Sequence, residues 1–371
     1  MEKIIDSNQK SNSVQETKSH VAELDSERAN EMKESTMQNL QKMYFIDGCF
    51  DGYHYGHVNA LFQAKQLCDI LVLGTHTDDE MKEFKNIPLF NYEERIFMLQ
   101  YCRYIDKIVD NVPYISTLET VRKYNCSHYV HGDEVVLTNK NVSALEEELK
   151  KYYKTYAPTE GISTSNLLVR MYYYSKNKLG SSVPIPTNKN TIYLNSIINN
   201  LKESNRSRET LVGVPTLYLY HSWDMFCSEH IKVILMIKDM YPDHKIIACV
   251  SNGLLRLASP ESNQVTCDLR LPHLVELDLI YNQLERAIVL YSIKIIDDVI
   301  IEPSGLSSME SNGALEDKEW NNIVSGDNYI NLYDKFDNLY FNKDLYISTI
   351  INNINIYEQK LNKELSKMQP V

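Results

Sequence analysis

Asp47-Gly48-Cys49-Phe50-Asp51-Gly52-Tyr53-His54-Tyr55-Gly56-His57 is the stretch on which the reading of this chain turns. Before it, Met43-Tyr44-Phe45-Ile46 reads as a short buried strand. After it, Val58, Leu61, Phe62 and Leu67 recur at helical spacing. The stretch is then the turn from a first strand into a first helix. In an open α/β sheet, ligands gather at the carboxyl ends of strands. A helix amino terminus there offers free N–H groups and positive potential to a phosphate. His54 and His57 are three apart, so on a helical first turn their imidazoles point to one side and can both donate to phosphoryl oxygens. Gly56 has no Cβ, so a phosphate can approach the backbone closely. An isolated HxGH string is more often two ordinary histidines, one buried and one exposed. Its place at a strand-to-helix turn favours the phosphate reading.

Five further strings follow: Gly74-Thr75-His76-Thr77-Asp78, Asn91-Tyr92-Glu93-Glu94-Arg95, Asn111-Val112-Pro113-Tyr114, Val130-His131-Gly132-Asp133-Glu134 and Gly161-Ile162-Ser163-Thr164-Ser165. With the first stretch they resemble, in order and spacing, the motifs of the cytidylyltransferases of the HxGH nucleotidyltransferase superfamily. The resemblance covers residues 43–175 and is greatest to the ethanolamine-phosphate branch.

A chain of 371 residues suggests two or three domains. Hydrophobic content of 43% and charged content of 24% fit a soluble globular protein. The net charge is −12 with no basic cluster, so nucleic-acid binding is not expected. The seven cysteines are odd in number and form no CxxC pair. That argues against a disulfide scaffold or a structural zinc site, and for a reducing, cytoplasmic setting. No apolar run is long enough for a spanning helix, and no apolar leader is seen.

In chain order, residues 1–40 read as a polar arm and residues 41–180 as alternating strand and helix. Strands are expected at Tyr44–Ile46, Asp69–Gly74, Lys107–Val109 and His128–His131. Asn91 and Glu94 form a capping box, and Thr117 or Ser116 caps the next helix. Such βα repetition gives an α/β fold with a parallel, doubly wound sheet. Residues 181–212 are a linker, with Thr191–Leu201 as a helical insert.

Residues 213–340 echo the first domain: Asp224 falls on Asp51, His230 on His57, and Leu284-Glu285-Arg286 on Glu93-Glu94-Arg95. The resemblance implies two tandem Rossmann-like cytidylyltransferase domains with parallel sheets. The second is degenerate: Cys227 replaces the first histidine, Glu229 the glycine, and Tyr220 stands where Asp47 does. Residues 341–371 carry Leu345, Ile350, Ile351, Ile354, Tyr357 and Leu361 at helical spacing, expected to dock on the second domain. The alternative, a membrane-binding helix, lacks a basic face.

The resemblance implies that CTP and phosphoethanolamine give CDP-ethanolamine and pyrophosphate, a step toward phosphatidylethanolamine. It implies His54, His57 and Lys85 as catalytic groups. Cys49, Phe50, Gly56, Arg103, His131, Asp133, Gly161, Ser163 and Thr164 would bind CTP, and Asp47 and Tyr114 the amino-alcohol head. Mg²⁺ is expected with CTP, held by phosphates and water rather than by a protein ligand set. The bland alternatives are a solvated lysine for Lys85, a surface ion-pair residue for Arg103 and a turn-former for Asp47. Relatives carry an arginine where Pro158 stands, with Lys150, Lys151 or Lys154 as nearby substitutes. Two rivals remain: a cytidylyltransferase for phosphocholine or glycerol 3-phosphate, and a nucleotide-binding scaffold without turnover. Oligomeric state is left open.

Overall fold

The structure is a computed structural model. It describes residues 41–85, 87–132, 151–178, 184–205, 213–252, 254–256, 274–276, 279–302 and 326–332, with Ser348, Asn362 and Ser366. The chain divides into two units, Met1–Lys42 and Met43–Val371. The arm expected over 1–40, and all but three residues of the helix expected over 341–371, lie outside the described residues. Everything below concerns the second unit.

Its first half runs β1 (Met43–Gly48), α1 (Tyr55–Gln66), β2 (Ile70–Thr75), α2 (Asp78–Phe84), α3 (Tyr92–Gln100), β3 (Lys107–Val109), α4 (Leu118–Lys123), β4 (His128–Gly132), β5 (Tyr153–Tyr156) and α5 (Thr164–Lys178). The strands form one parallel sheet in the order β3-β2-β1-β4-β5. Strands covered on both faces read as continuous apolar runs, and Tyr44-Phe45-Ile46 and Leu71-Val72-Leu73 are all buried. Helix starts are written locally. Thr77 with Glu80, Asn91 with Glu94 and Thr117 with Thr120 each form a capping box. Strand β5 is missing from the sequence reading. Tyr153-Lys154-Thr155-Tyr156 is a four-residue edge strand with no apolar run.

The second half runs α6 (Thr191–Asn205), β6 (Thr216–His221), α7 (Ser228–Met240), β7 (Lys245–Val250), β8 (Leu254–Arg256), β9 (Leu274–Glu276), α8 (Gln283–Tyr291), β10 (Asp298–Ile301) and β11 (Tyr329–Asn331). Its parallel sheet, β10-β7-β6-β11, repeats the order β3-β2-β1-β4, and β8 pairs with β9 antiparallel. Helix α6 extends the expected insert. Leu194, Ile197, Ile198 and Leu201 are buried in the core together with α8 residues.

One apolar core runs through both halves, from Ile46 and Leu61 to Ile288 and Ile330. The ends of α3 and α8 meet reciprocally. Arg103 N donates to Ser292 O at 2.7 Å and Lys294 N to Tyr101 O at 2.8 Å. Lys294 Nζ donates to Gln100 O at 3.0 Å, and Tyr53 Oη lies 3.1 Å from Ser292 Oγ. Residue i meets j and j meets i, as across a two-fold dimer interface.

Candidate active site

The β1–α1 turn is fixed by buried bonds to backbone. The Asp51 carboxylate accepts from Leu89 N at 2.9 Å and Phe90 N at 2.9 Å. Burial pushes its carboxyl up, and those two N–H bonds pull the other way. Arg95, 1% exposed, donates to Cys49 O at 2.8 Å, Phe90 O at 3.2 Å, His76 O at 2.9 Å and Asp78 Oδ1 at 2.7 Å. A guanidinium so partnered ties the first turn to the ends of β2 and the start of α3. Phe50 takes a positive φ of 48° at this turn.

His54 is not inside α1 but caps it. Its Nδ1 accepts from Gly56 N at 3.1 Å and His57 N at 3.4 Å. His57 Nδ1 in turn accepts from His54 N at 3.5 Å. The two rings stack at 3.8 Å. With each Nδ1 facing a backbone N–H, the ring proton of a neutral imidazole goes to Nε2. His54 Nε2 is buried with no hydrogen-bond partner among the described residues. Burial, then the charges of Arg170 and Lys85, hold His54 down at about 3. Burial, then His54 and Lys85, hold His57 well below its ordinary value. Both rings are therefore neutral N–H donors near neutral pH.

Lys85 ends α2, and its charge reaches Cys49, His54 and His57. It lines a pocket with Asp51, Met81, Ile87, Leu89, Thr164 and Leu168. Burial pushes the Cys49 thiol up, against the pull of the Lys85 and Arg95 charges, which disfavours the thiolate. Thr164 opens α5. Ser163 Oγ accepts from Asn166 N at 3.2 Å and donates to Asn166 Oδ1 at 2.7 Å, so its hydroxyl is engaged in capping that helix. The space beside Gly56 is taken by protein: a Cβ there would lie 2.7 Å from Ile162 Cγ2. Its bareness lets the Gly161–Thr164 turn close on α1. Pro158 lies in a segment laced to α1, where Gln63 Nε2 donates to Ala157 O at 3.1 Å and Asn59 Nδ2 to Thr159 Oγ1 at 3.0 Å.

At the same strand end, Asp47 Oδ1 accepts from the Tyr129 hydroxyl at 2.6 Å. Asp47 Oδ2 is buried without a hydrogen-bond partner among the described residues. Tyr114, Tyr129, Tyr153 and Tyr156 all have phenols pushed up, by burial first and with the Asp47 charge contributing. Tyr114 also stacks on Phe84 at 5.0 Å. A carboxylate among tyrosines is thus assembled from β1, β4, β5 and the loop after β3. Tyr129, Tyr153 and Tyr156 escaped the sequence reading.

His131 Nδ1 lies 3.2 Å from its neighbour's carbonyl, Gly132 O, and its ring 5.8 Å from that of Tyr129. Asp133 lies outside the described residues. Arg103 bonds across to the second half. Its Nη2 donates to Ile293 O and Ile296 O, each at 2.6 Å. This group cross-ties the two halves, and Ile293 O accepts from it in addition to Ile296 N.

The strand–turn–helix with its stacked imidazoles defines the class. Residues 45–170 match the cytidylyltransferase-like family. "Probable ethanolamine-phosphate cytidylyltransferase" of Schizosaccharomyces pombe is 30% identical over 270 residues, 63% of this chain and 72% of that protein. Ethanolamine-phosphate cytidylyltransferase of Mus musculus is 41% identical over 133 residues, 36% of this chain and 33% of that protein. Choline-phosphate cytidylyltransferase A of Homo sapiens is 35% identical over 135 residues, 34% of this chain and 35% of that protein. The chain belongs to the ethanolamine-phosphate cytidylyltransferase family.

Proposed function

We infer that this chain transfers the cytidylyl group of CTP to phosphoethanolamine, forming CDP-ethanolamine and releasing pyrophosphate. One observation carries the reading. Asp47 Oδ2, a buried carboxylate oxygen without a partner among the described residues, sits with tyrosines at the strand end that also carries the stacked His54 and His57. An ammonium group suits that carboxylate and those aromatic faces. A primary ammonium brings N–H donors for Asp47 Oδ2, whereas a quaternary one brings none. This favours ethanolamine over choline, and glycerol 3-phosphate has no cation at all.

The nucleophile is the substrate's own phosphate oxygen, already anionic near neutral pH, so no general base is required. The new bond joins that oxygen to the α-phosphorus of CTP, and the bond to the pyrophosphate oxygen breaks. The difficulty is an anion attacking a polyanion, so catalysis is positioning and electrostatic stabilisation. His54 and His57 donate from Nε2 to the α-phosphate region. As neutral donors they need return no proton. Lys85 supplies a point charge beside them. The first N–H groups of α5, with Thr164, face the triphosphate.

The polar groups lining this pocket are the Lys85 ammonium, the Thr164 hydroxyl at the start of α5 and Asp51, whose two oxygens are filled by backbone donors. Such a set fits a Mg²⁺–CTP complex whose metal is ligated by phosphates and water. The metal would supply neutralisation of the triphosphate. No helix among the described residues is long and apolar enough to cross a membrane.

The test is pyrophosphate release with CTP and a panel of phosphoethanolamine, phosphocholine and glycerol 3-phosphate. Phosphoethanolamine is expected to be used best. Preference for another phosphate ester would reassign the Asp47 pocket, and absence of turnover with all three would leave a nucleotide-binding scaffold.

A further inference from the structure

Glu285 and its counterpart Glu94 begin as the same local device, the distal member of a capping box. Glu94 accepts from Asn91 N at 3.1 Å and remains half-buried. Glu285 is 0% exposed and accepts four bonds. Its Oε2 accepts from Asn282 N at 2.9 Å and Arg170 Nη1 at 2.9 Å. Its Oε1 accepts from Arg170 Nη2 at 2.9 Å and Asn188 N at 3.0 Å. Both partners then reach into the nucleotide half. Arg170 Nη2 donates to Gly161 O at 3.1 Å. Asn188 Nδ2 donates to Glu160 O at 3.0 Å and Tyr55 Oη at 3.2 Å, and the Tyr55 hydroxyl donates to Glu160 O at 3.2 Å. Gly161 holds a φ of +77°, and a Cβ there would lie 2.8 Å from Asn188 Nδ2. The two carbonyls just before the start of α5 are therefore clamped, and both clamps end on one carboxylate of the second half.

We propose that Glu285 is a positioning residue for the nucleotide site. Through Arg170 and Asn188 it fixes the Glu160–Gly161 turn, so that the starts of α5 and α1 face the same triphosphate. This rests on the cytidylyltransferase reading given above. It gives the second half a part in the reaction without a second active site. A buried, bidentate ion pair that merely held the halves together would have no need to reach the turn that precedes a phosphate-binding helix. Removing one member of such a pair leaves a buried charge and unfolds many proteins, whereas replacing both by apolar residues of similar volume is often neutral for stability.

The test uses the full chain in steady-state pyrophosphate release. The two variants are Asn188→Ala, which removes no charge, and the double variant Arg170→Met/Glu285→Met. Each is expected to keep a near wild-type thermal midpoint and to lose about ten- to a hundredfold in kcat/KM for CTP, the effect of misplacing a phosphate site by about 1 Å. The KM for phosphoethanolamine should move far less than that for CTP. Folded variants with wild-type efficiency toward CTP would overturn the proposal and leave the functional reading intact. Losses that follow the fraction of folded protein and fall equally on both substrates would also overturn it, in favour of a purely structural tie. A wild-type chain without CTP turnover would instead overturn the functional reading on which it rests.

Discussion

His57 and His230 hold the same place in the two halves, in surroundings alike in their aromatic rings and different in their polar partners. Each is the third residue of a helix, and each Nδ1 accepts from the backbone N–H of the capping residue, at 3.5 Å from His54 and 3.1 Å from Cys227. Around His57 stand Phe50 at 5.4 Å, Tyr53 at 6.3 Å, the stacked His54 ring and the charge of Lys85, itself part of a pocket lining. Around His230 stand Phe226 at 5.0 Å and Trp223 at 5.8 Å in the places of Tyr53 and Phe50, the His221 ring at 5.5 Å, and, where His54 would be, the Cys227 sulfur at 3.3 Å from its Nδ1. Glu229, where the first half has Gly56, pairs with Lys232 at the surface.

What the halves share is directed at backbone. Asp224 accepts from Ile280 N and Tyr281 N as Asp51 does from Leu89 N and Phe90 N. Arg286 donates to Tyr281 O and Ser251 O as Arg95 does to Phe90 O and His76 O. Positive φ falls at Trp223 and Met225, where the first half has Phe50 and Gly52. A left-handed tryptophan and methionine cost about 1–2 kcal/mol each, yet the turn persists because Asp224 and Arg286 hold its frame. A fold survives on such bonds, whereas a site needs particular side chains around a space.

The sharpest way to break the comparison is to separate the halves. Cutting the chain after residue 180 should abolish folded, active protein, because Leu167, Leu168 and Met171 on α5 join the common core and Arg170 would lose Glu285. A soluble, active fragment would show the second half to be dispensable. Next, His57→Ala should lower kcat by about 10²–10³-fold, the usual cost of one preorganised donor. His230→Ala should leave turnover per folded molecule unchanged. Equal losses in the two variants would place chemistry in both halves.

Asp47→Asn should raise the KM for phosphoethanolamine by about tenfold or more, the worth of a charged hydrogen bond, and that for CTP much less. An equal rise in both would make Asp47 a turn residue. A smaller effect is common to both halves. His54 at about 3, with His57 and His230 well below the ordinary value, stay neutral when folded and take up protons when unfolded. Their folded-state pKa values are lowered, so the unfolded chain binds more protons between the two values. The stability they contribute is complete above about pH 6.5 and is lost as pH falls below it. Thermal midpoints read from pH 7 downward should show that decline. His57→Gln and His230→Gln should flatten it similarly, although only the first affects turnover. The smallest expected effect is that of Glu229→Gly. Restoring the glycine should leave turnover unaltered, because Cys227 still stands where the first half has the donor His54; a gain of activity would contradict this.

The fold was legible where its signals are local. The apolar runs of β1 and β2, the Asn91–Glu94 capping box and the strand–turn–helix around His54 lie within a few residues, and the domain-sized repeat follows from matching such strings. The candidate site draws on the same strings. His54, His57, Lys85, Asp47 and Tyr114 sit in or beside those strings. The remainder depends on partners far away in sequence. Tyr129, Tyr153 and Tyr156 come to Asp47 only when β4 and β5 line up beside β1. Arg103 has its acceptors 190 and 193 residues away, so nothing near it in sequence marks it as a cross-tie. Arg170 is one of several polar residues of α5, and nothing marks it out until α8 brings Glu285 to it.

The most direct measurement is the number of CTP molecules bound per chain at equilibrium, by calorimetry on the full-length protein with Mg²⁺. One is expected, from a first half that keeps its stacked imidazoles beside the Lys85 charge and a second half in which Cys227 and Glu229 stand for His54 and Gly56. Two CTP per chain would contradict the division of the molecule into a chemical half and a supporting half.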